Sequence, residues 1–347
     1  MSAFSDRNTS VRGPLVSVIM ANFNGSTYLA KAIDSVQKQT LRDIEIIISD
    51  DASTDHSIEI VTRLQTDDPR IRLIRGERNA GPAIARNRAI DVASGQWIAI
   101  VDGDDFIQPA RLDMLVEYAL RDGADIVADD LFIISPEGQQ HSNRFLRKPW
   151  SEGPFWVDIV DYLWLNRIYG RGPGLGYLKP IFSASLFSER AIRYNDTLKN
   201  SEDYDLVLRL LYAGKRMRVY PVPLYFYRKH SNSLSHRLNE NVLEALLSSD
   251  RYFLAQVNPA NSRLHRAARA RMNSTKAALT FERLLSAIKS HHYLTAFAIV
   301  TVSPRAAALL RLPLAARVRR FLLPEHDGNI GTSISLSADR SASEPHC

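Results

Sequence analysis

Short apolar runs and longer segments of mixed polarity alternate along residues 16–134. The apolar runs are rich in β-branched residues, and five of them cover 16–20, 44–49, 71–75, 97–101 and 126–134. Runs of this kind are typical of parallel strands that are buried on both faces of a sheet. The pattern therefore predicts five strands in the first part of the chain.

The segments between these runs show the helical spacing of apolar residues. The clearest apolar faces consist of Leu29, Ile33 and Val36, of Ile58, Val61 and Leu64, and of Leu112, Leu115, Val116 and Ala119. Repeated strand–helix–strand units predict an α/β fold with a doubly wound, mostly parallel sheet and helices on both faces. In such folds, ligands bind beyond the carboxyl ends of the strands.

The pattern loosens after residue 134. An aromatic-rich stretch, 150–164, is typical of core or of the lining of an acceptor groove, and the glycine-rich stretch 170–176 predicts a loop. A helix is predicted over 202–213, where a glycine ends it, and a strand over 219–227. This part of the chain therefore completes the sheet domain that begins at residue 14.

Basic residues are concentrated near the C-terminus. The 347 residues include 44 Lys and Arg against 38 Asp and Glu, a formal net charge of +6. Thirteen basic residues and a single acid lie between 251 and 324, so the rest of the chain is net acidic. We predict a sheet domain over 14–235, a basic helical extension over 236–324 and a disordered, Ser-rich tail over 325–347.

The basic section has three interpretations. Apolar runs that alternate with arginines between 296 and 323 are typical of a helix lying in the headgroups of an anionic membrane. The alternative is a packed helical appendage, and a nucleic-acid partner is disfavoured because no such motif accompanies the charge. We find neither an apolar run of the roughly 18 residues that a spanning helix needs nor a signal peptide. Since Cys347 has no partner, we expect a cytoplasmic protein at the inner face of the membrane.

Carboxylates gather where the predicted strands end. They are Asp50 and Asp51 after the second run, Asp102, Asp104 and Asp105 after the fourth, and Asp129 and Asp130 at the fifth. Neighbouring carboxylates repel one another unless positive charge lies between them, and such ligands suit Mg²⁺ or Mn²⁺. Because Mg²⁺ also binds phosphate oxygens, the pattern predicts a nucleotide or diphosphate substrate. For Asp50 and Asp51 alone, capping of the next helix is an equal alternative.

Two common phosphate-binding motifs are absent from the first strand–helix unit. The sequence contains no G-x-x-x-x-G-K-[ST], and no G-x-G-x-x-G follows the first predicted strand. Both a P-loop ATPase and a dinucleotide dehydrogenase are therefore disfavoured.

An ordered set of short motifs runs through 14–235. They are NFNG at 22–25, SDDASTD at 49–55, NAGP at 79–82, ARN at 85–87, a glycine at 95, the acids of 102–105 and SED at 201–203. In this order they resemble the family 2 glycosyltransferases, whose members have the GT-A fold. The stretch LGYLKP at 175–180 is also similar to bacterial exopolysaccharide glucosyltransferases of the succinoglycan type. The resemblance implies that 14–235 is a nucleotide-sugar-binding catalytic domain.

The resemblance assigns residues to the donor side of the site. It implies that Asp51 binds the uracil of a UDP-sugar and that Asn22 lines the same pocket. Arg86 would face the nucleotide or its phosphates. Asp102 and Asp104 would contact the ribose and the metal.

The resemblance also assigns the metal ligands and the general base. Asp104 and Asp105 are both candidate ligands of Mg²⁺ or Mn²⁺. Asp203 is the candidate base, and the alternative for it is an ordinary first-turn acid that favours the helix dipole. Arg228 and His230 are candidate contacts of the diphosphate, with surface positions as the alternative.

These assignments together predict an enzyme. We expect an inverting, metal-dependent transferase of bacterial exopolysaccharide synthesis that moves a hexose from a UDP-sugar to a lipid-linked or growing glycan. Glucose is the hexose that we expect. The first alternative is a binding protein of the same fold that recognises a glycan or nucleotide without turnover. A phospho-accepting signalling domain is also doubly wound with paired acids, but the second acidic cluster and the long chain disfavour it.

Overall fold

The computed structural model describes residues 13–137, 140–188, 192–230 and 238–311. The chain divides into two compact units, the first ending at Thr275 and the second beginning at Lys276. The first unit contains the whole predicted sheet domain and also the first part of the predicted helical extension. The predicted disordered tail, 325–347, lies outside the described residues.

Within the described residues of the first unit, ten strands form one mixed sheet. They are β1 (Val16–Asn22), β2 (Ile44–Asp50), β3 (Ile71–Arg75), β4 (Trp97–Ile100), β5 (Phe106–Ile107), β6 (Ile126–Ile134), β7 (Gln140–Arg144), β8 (Phe155–Trp156), β9 (Ile181–Ser183) and β10 (Met217–Arg228). The order across the sheet is β3-β2-β1-β4-β9-β6-β10-β5, with β7 beside β6 and β8 beside β10. The five strands predicted near the N-terminus and the later one are confirmed.

Ten α-helices are described along the chain. They are α1 (Ser26–Gln37), α2 (Ser57–Asp67), α3 (Pro82–Ile90), α4 (Arg111–Asp122), α5 (Ile159–Leu165), α6 (Glu202–Tyr212), α7 (Glu240–Gln256), α8 (Ser262–Lys289), α9 (Tyr293–Val302) and α10 (Pro304–Ala308). The predicted apolar faces of α1 and α4 are buried, so the α/β fold expected from the periodicity is confirmed. Helix α7 and the start of α8 also contribute to the core, through Leu246, Phe253, Leu264 and Ala268.

The first half of the sheet is parallel, as predicted. Strands β3, β2, β1 and β4 all run in one direction, and Asn22 at the end of β1 is paired with Asp50 at the end of β2. The side chains of β1, β2 and β4 are almost entirely buried, which explains their apolar runs, whereas in β3, at the end of the strand order, only Ile71 is buried. The carboxyl ends of these strands therefore share one edge of the sheet.

Strand β9 was not predicted, and it decides how the two halves of the sheet join. It lies antiparallel to both β4 and β6, and Ala99 and Val127 are each paired with Ile181. Three residues carry too little periodicity to be recognised in a sequence. Because β9 is antiparallel, its first residue lies beside the carboxyl end of β4.

The prediction that Asp129 and Asp130 belong to the acidic strand ends is wrong. Both lie inside β6 and are buried, and each is paired with an arginine: Asp129 with Arg111 at 2.8 Å and Asp130 with Arg144 at 3.0 Å. A buried carboxylate needs such a partner, because burial raises its pKa, as it does for Asp129. Through these pairs the two acids connect β6 to α4 and to β7.

The described part of the second unit is helical, as predicted for the basic extension. Leu284 and Ala287 of α8 pack against Ala296 of α9 in a small core. Between residues 276 and 311, five residues are basic and one is acidic. None of the helices in the described ranges is both long enough and apolar enough to cross a bilayer. Residues 312–324, with three of the arginines, lie outside the described residues.

Candidate active site

Five elements bring polar side chains to one edge of the sheet. Strands β1, β2 and β4 end there, β9 begins there, and the first turn of α6 supplies further acids. The site residues predicted from sequence on the donor side lie at or just after the ends of β1, β2 and β4, and on α3. The candidate base lies on α6.

The ends of β1 and β2 form a hydrogen-bonded pocket wall. The Asn22 amide donates to Asp50 at 2.8 Å and to the Ser53 hydroxyl at 3.1 Å. Asp50 also accepts from the backbone N–H and the hydroxyl of Ser53, so its carboxylate shapes the turn after β2. Asp50 therefore shapes the turn and does not cap α2, whose Ser57 N–H is instead bonded by Asp55 at 3.0 Å. The neighbouring Asp51 is left as the binding candidate.

Asp51 is buried and directed at the start of α3. Its Oδ2 accepts hydrogen bonds from the backbone N–H groups of Ala80 and Gly81 at 2.8 and 2.7 Å, and its Oδ1 lies 3.2 Å from the Arg88 guanidinium. Gly81 has a φ of +99°, a conformation that favours glycine. Because each carboxylate oxygen can accept two hydrogen bonds, Oδ1 has capacity for one more donor.

Arg86 of α3 joins the donor-side acid to the first turn of α6. Its guanidinium donates to Asp102 at 2.7 Å and to Glu202, and it lies 3.5 Å from an oxygen of Asp203. The side chain is buried, and burial alone would lower its pKa, but the charges of Asp203 and Asp102 outweigh burial and raise it. Arg86 therefore holds acids from two separate elements together.

Lys179 makes a second link between Asp102 and Asp203. Its ammonium Nζ lies 2.9 Å from Asp102 and 2.7 Å from Asp203. Burial alone would lower the pKa of Lys179, but the charges of Asp102 and Asp203 raise it well above its ordinary value. Asp102, Lys179, Asp203 and Arg86 thus form a closed ring of ion pairs, which we call the four-residue ring.

The ring changes the electrostatics of Asp102. Burial alone would raise the pKa of this acid, but the positive charges of Lys179 and Arg86 outweigh burial and lower it well below its ordinary value. Asp102 is therefore ionised at neutral pH, and both of its oxygens face a cation.

Asp104 and Asp105 occupy very different surroundings. Asp105 is 1% exposed, and it accepts hydrogen bonds from the Tyr225 hydroxyl at 2.8 Å and the Arg228 backbone N–H at 2.7 Å. Burial and the charges of Asp104 and Asp102 raise its pKa well above the ordinary value. Asp104 is partly exposed and lies 2.9 Å from Nε2 of His230.

The two predicted diphosphate contacts also differ. The Arg228 guanidinium is buried and donates to the backbone carbonyls of Asp104 and Pro136 at 2.8 and 2.5 Å. It also lies over the Tyr28 ring, 4.6 Å from the centroid. His230 instead lies beside the exposed acid at the edge of the site. His230 is thus the better placed of the two candidates, and a diphosphate role stays a prediction for both.

The residues present fit a hard divalent cation. One carboxylate oxygen from each of Asp102, Asp104 and Asp105 lies within 4.8 Å of the other two. Asp104 is the most accessible member, whereas Asp105 is buried and each of its oxygens already accepts one hydrogen bond. Since Mg²⁺ and Mn²⁺ typically use one or two carboxylates together with phosphate oxygens, Asp104 with Asp102 or Asp105 satisfies that requirement.

Asp203 lies in the first turn of α6 with Glu202 and Asp205. A helix N-terminus favours carboxylates there, so the first-turn acid alternative explains why acids cluster at this turn. It does not explain the side-chain contacts of Asp203, because this acid faces Lys179 and Arg86 of the site, whereas Asp205 accepts a hydrogen bond from Ser249 of α7. Asp203 therefore lies at the site, and its role as general base stays a prediction.

Sequence reasoning missed Lys179 and the residue that fixes its backbone. The Arg111 guanidinium is fully buried, pairs with Asp129 and donates to the carbonyl oxygen of Lys179. A lysine just before a short unpredicted strand gives no signal by itself. The signal that was present is the stretch LGYLKP at 175–180, which ends on Lys179 and Pro180.

The sequence matches a known family. Residues 17–181 match the model described as Glycosyl transferase family 2. The chain is 30% identical over 340 residues to the succinoglycan biosynthesis protein ExoO of Rhizobium meliloti, with 94% of each chain covered. It is 32% identical over 243 residues to the succinoglycan biosynthesis protein ExoU of the same organism, with 69% of each chain covered.

Solved structures share the fold. Residues 1–349 of Staphylococcus aureus TarS in complex with UDP-GlcNAc superpose with a TM-score of 0.57 at 18% identity, covering 84% of this chain and 92% of that one. The mannosyltransferase PcManGT of Pyrobaculum calidifontis, in complex with GDP-Man and Mn²⁺, gives 0.54 at 19% identity, covering 91% and 89%. The fold class expected from the sequence, GT-A, is confirmed.

Proposed function

The chain belongs to family 2 of the glycosyltransferases, and from this premise we propose that it is an inverting hexosyltransferase that uses a UDP-sugar. We propose glucose as the sugar and a lipid-linked or growing glycan of a bacterial exopolysaccharide as the acceptor. Two relatives that are named as succinoglycan biosynthesis proteins support this acceptor class. The observation that carries the proposal is the convergence of Asp203 with Asp102 and Asp104 at one sheet edge.

The proposed reaction is a single displacement at the anomeric carbon. The acceptor hydroxyl oxygen forms a bond to that carbon while the bond from the carbon to the diphosphate oxygen breaks, and UDP leaves with the bonding electrons. The hydroxyl proton passes to the carboxylate of Asp203, which acts as general base. Since attack and departure occur on opposite faces, an α-linked donor gives a β-linked product.

The donor would lie along the ends of β1, β2 and β4. We propose that the free accepting capacity of Asp51 Oδ1 binds the N–H of uracil, with Asn22 in the wall of the same pocket. Arg86 holds Asp102 at the ribose and diphosphate side. A divalent cation held by Asp104, with Asp102 or Asp105, would neutralise the negative charge that develops on the departing diphosphate. We propose that His230 contacts the same diphosphate, which its contact with Asp104 supports.

Donor preference tests the proposed function. With membranes of the source organism as acceptor, we expect UDP-glucose to release its nucleotide at least about tenfold faster than GDP-mannose. The N–H donors of guanine lie at a different distance from the ribose than the N–H of uracil, so the hydrogen bond to Asp51 would be lost. A lost hydrogen bond to a charged group costs roughly 1.5–3 kcal/mol. The measurement is the rate of nucleotide diphosphate release from a panel of UDP- and GDP-sugars. Faster turnover of GDP-mannose would contradict the UDP assignment, and binding without any release would favour the non-catalytic alternative.

The second unit carries a surface that suits membrane contact. Helix α9 contains no charged residue, and Tyr293, Leu294, Phe297 and Val302 are 62%, 88%, 69% and 84% exposed. Exposed apolar side chains that are flanked by basic residues are typical of helices at an anionic membrane surface. We propose that α9 makes peripheral contact with the inner face of the cell membrane, where a lipid-linked acceptor would be found.

Vesicle sedimentation tests this contact. We expect the double variant Leu294→Ser, Phe297→Ser to bind vesicles of phosphatidylcholine with about 30% phosphatidylglycerol at least about tenfold more weakly, because burial of each side chain contributes roughly 1.5–3 kcal/mol. Leu120→Ser is the matched control, since Leu120 is an exposed residue of α4, 68% accessible. Equal sedimentation of the double variant and the wild type would exclude α9 as the contact surface.

A further inference from the structure

Lys179 is a buried cation between two acids of different proposed roles. It is 8% exposed, and its ammonium contacts Asp102 on the donor side and Asp203 on the acceptor side. The roles proposed above for the donor-side and acceptor-side residues leave Lys179 without one. Burial of a lysine and its two carboxylate partners costs desolvation free energy, so the position of Lys179 in the site needs an explanation.

The backbone of Lys179 is held as firmly as its ammonium. Its carbonyl oxygen accepts a hydrogen bond from Arg111, which is fully buried in its ion pair with Asp129. On either side of Lys179, Leu178 and Ile181 are buried in the core. The backbone of Lys179 is therefore held in place, and its side chain extends from there to the edge of the site.

The contact with Lys179 also distinguishes the two oxygens of Asp203. Oδ2 lies 2.7 Å from the ammonium, a charge-assisted hydrogen bond, whereas Oδ1 lies 3.5 Å from Arg86, beyond ordinary hydrogen-bond length. Oδ1 is therefore the oxygen with more free accepting capacity. A carboxylate held at one oxygen presents the other in a defined direction.

We propose that Lys179 is a positioning residue for sugar transfer, which holds Asp203 by Oδ2 so that Oδ1 faces the acceptor hydroxyl, and which ties this base to Asp102 on the donor side. The proposal rests on the function proposed above, because it takes Asp203 as the base. Lys179 itself neither accepts the proton nor contacts the reacting atoms. It sets the distance between the two halves of the site.

Removal of the ammonium should affect turnover much more than donor binding. We expect Lys179→Met to lower kcat by roughly 10²-fold, the loss that misplacement of a catalytic group by about 1 Å produces. The Kd for UDP, measured by calorimetry, should stay within about threefold of wild type. Lys179→Arg keeps the charge and should recover part of the lost rate. Lys38→Met is the control, since Lys38 forms an exposed ion pair on α1.

A double-mutant cycle with Asp203→Asn shows whether Lys179 acts through the base. If it does, Lys179→Met costs about 10²-fold in the wild-type background and almost nothing in the Asp203→Asn background. The same loss in both backgrounds, or wild-type turnover in Lys179→Met, would overturn the proposal. Melting temperatures are recorded throughout, and Lys179→Gln serves the same cycle if the Met variant unfolds.

The two proposals can fail separately. An inactive Asp203→Asn with a fully active Lys179→Met would refute the positioning role and leave the proposed function standing. An active Asp203→Asn would refute the assignment of the base, and the role of Lys179 with it. Nucleotide release from UDP-glucose is the readout in every arm.

Discussion

Replacement of Asp104 by Asn is expected to lower nucleotide release from UDP-glucose by roughly 10²- to 10³-fold, since Lewis-acid stabilisation of a leaving group contributes several kcal/mol. Asp104 is the accessible carboxylate of the cluster, so its substitution removes a ligand without opening the core. The wild type should lose a comparable factor in excess chelator and recover with Mn²⁺ or Mg²⁺. The variant should respond weakly to either treatment.

Asp105 is the poorer choice for this experiment. Its carboxylate accepts hydrogen bonds from Tyr225 and from the backbone N–H of Arg228, and it is 1% exposed. Truncation of Asp105 would leave buried donors without a partner, at a cost of roughly 1–3 kcal/mol each. A loss of activity could then come from reduced stability as well as from loss of the metal. Asp113→Asn is the matched control, an exposed acid in the first turn of α4. Full wild-type activity in chelator would refute the metal role.

The parallel half of the fold could be predicted from sequence because each of its strands and helices shows a polarity pattern within its own segment. Strands buried on both faces must be apolar throughout, and the helices between them must have one apolar side, so the periodicity reveals both. The acids at 50–51 and 102–105 then share an edge by the geometry of parallel strands. The meeting of these acids at one sheet edge therefore follows from the sequence pattern, whereas their donor-side roles come from the family resemblance and stay predictions.

The acceptor side depends on contacts that no local pattern encodes. Strand β9 has three residues, and only its antiparallel pairing with β4 brings Lys179 beside Asp102. The same is true of Asp129, whose partner Arg111 comes from α4. Sequence distance hides such pairs, since a buried ion pair leaves no periodic signal in either segment.

The basis for a metal site differs between the sequence and the structure. The sequence contains several acids at strand ends, and their mutual repulsion suggested that a cation lies between them. Arg86 and Lys179 already provide two positive charges among Asp102, Glu202 and Asp203. Because these cations already compensate most of the acids, the number of acids is weak support for a metal. The metal proposal rests instead on Asp104 and its distance from the neighbouring carboxylates.

Replacement of Asp203 by Asn removes the proton acceptor and keeps the shape of the side chain. General base catalysis typically contributes 10²- to 10⁴-fold, so we expect kcat to fall by roughly that factor. Donor binding should change little, because the donor-side residues Asp51 and Asp104 lie on other elements. The Asn amide can still contact Lys179 through its oxygen, which preserves part of the four-residue ring.

Asp196→Asn provides the control for this substitution. Asp196 is an exposed acid shortly before α6, so the same chemical change is made outside the site. The control should retain turnover within about twofold and an unchanged melting temperature, as surface substitutions usually do. If Asp203→Asn and Asp196→Asn both lost turnover, the loss would come from a disturbed segment before α6 and would contradict a specific role of Asp203 as the base.

The rate of UDP release by Asp203→Asn, measured with the Kd for UDP in the same preparation, tests the central claim most directly. The account predicts a rate at least about 10²-fold below wild type, with the Kd within about threefold. Turnover equal to that of wild type would contradict it, because the acid at the start of α6 would then serve the helix alone.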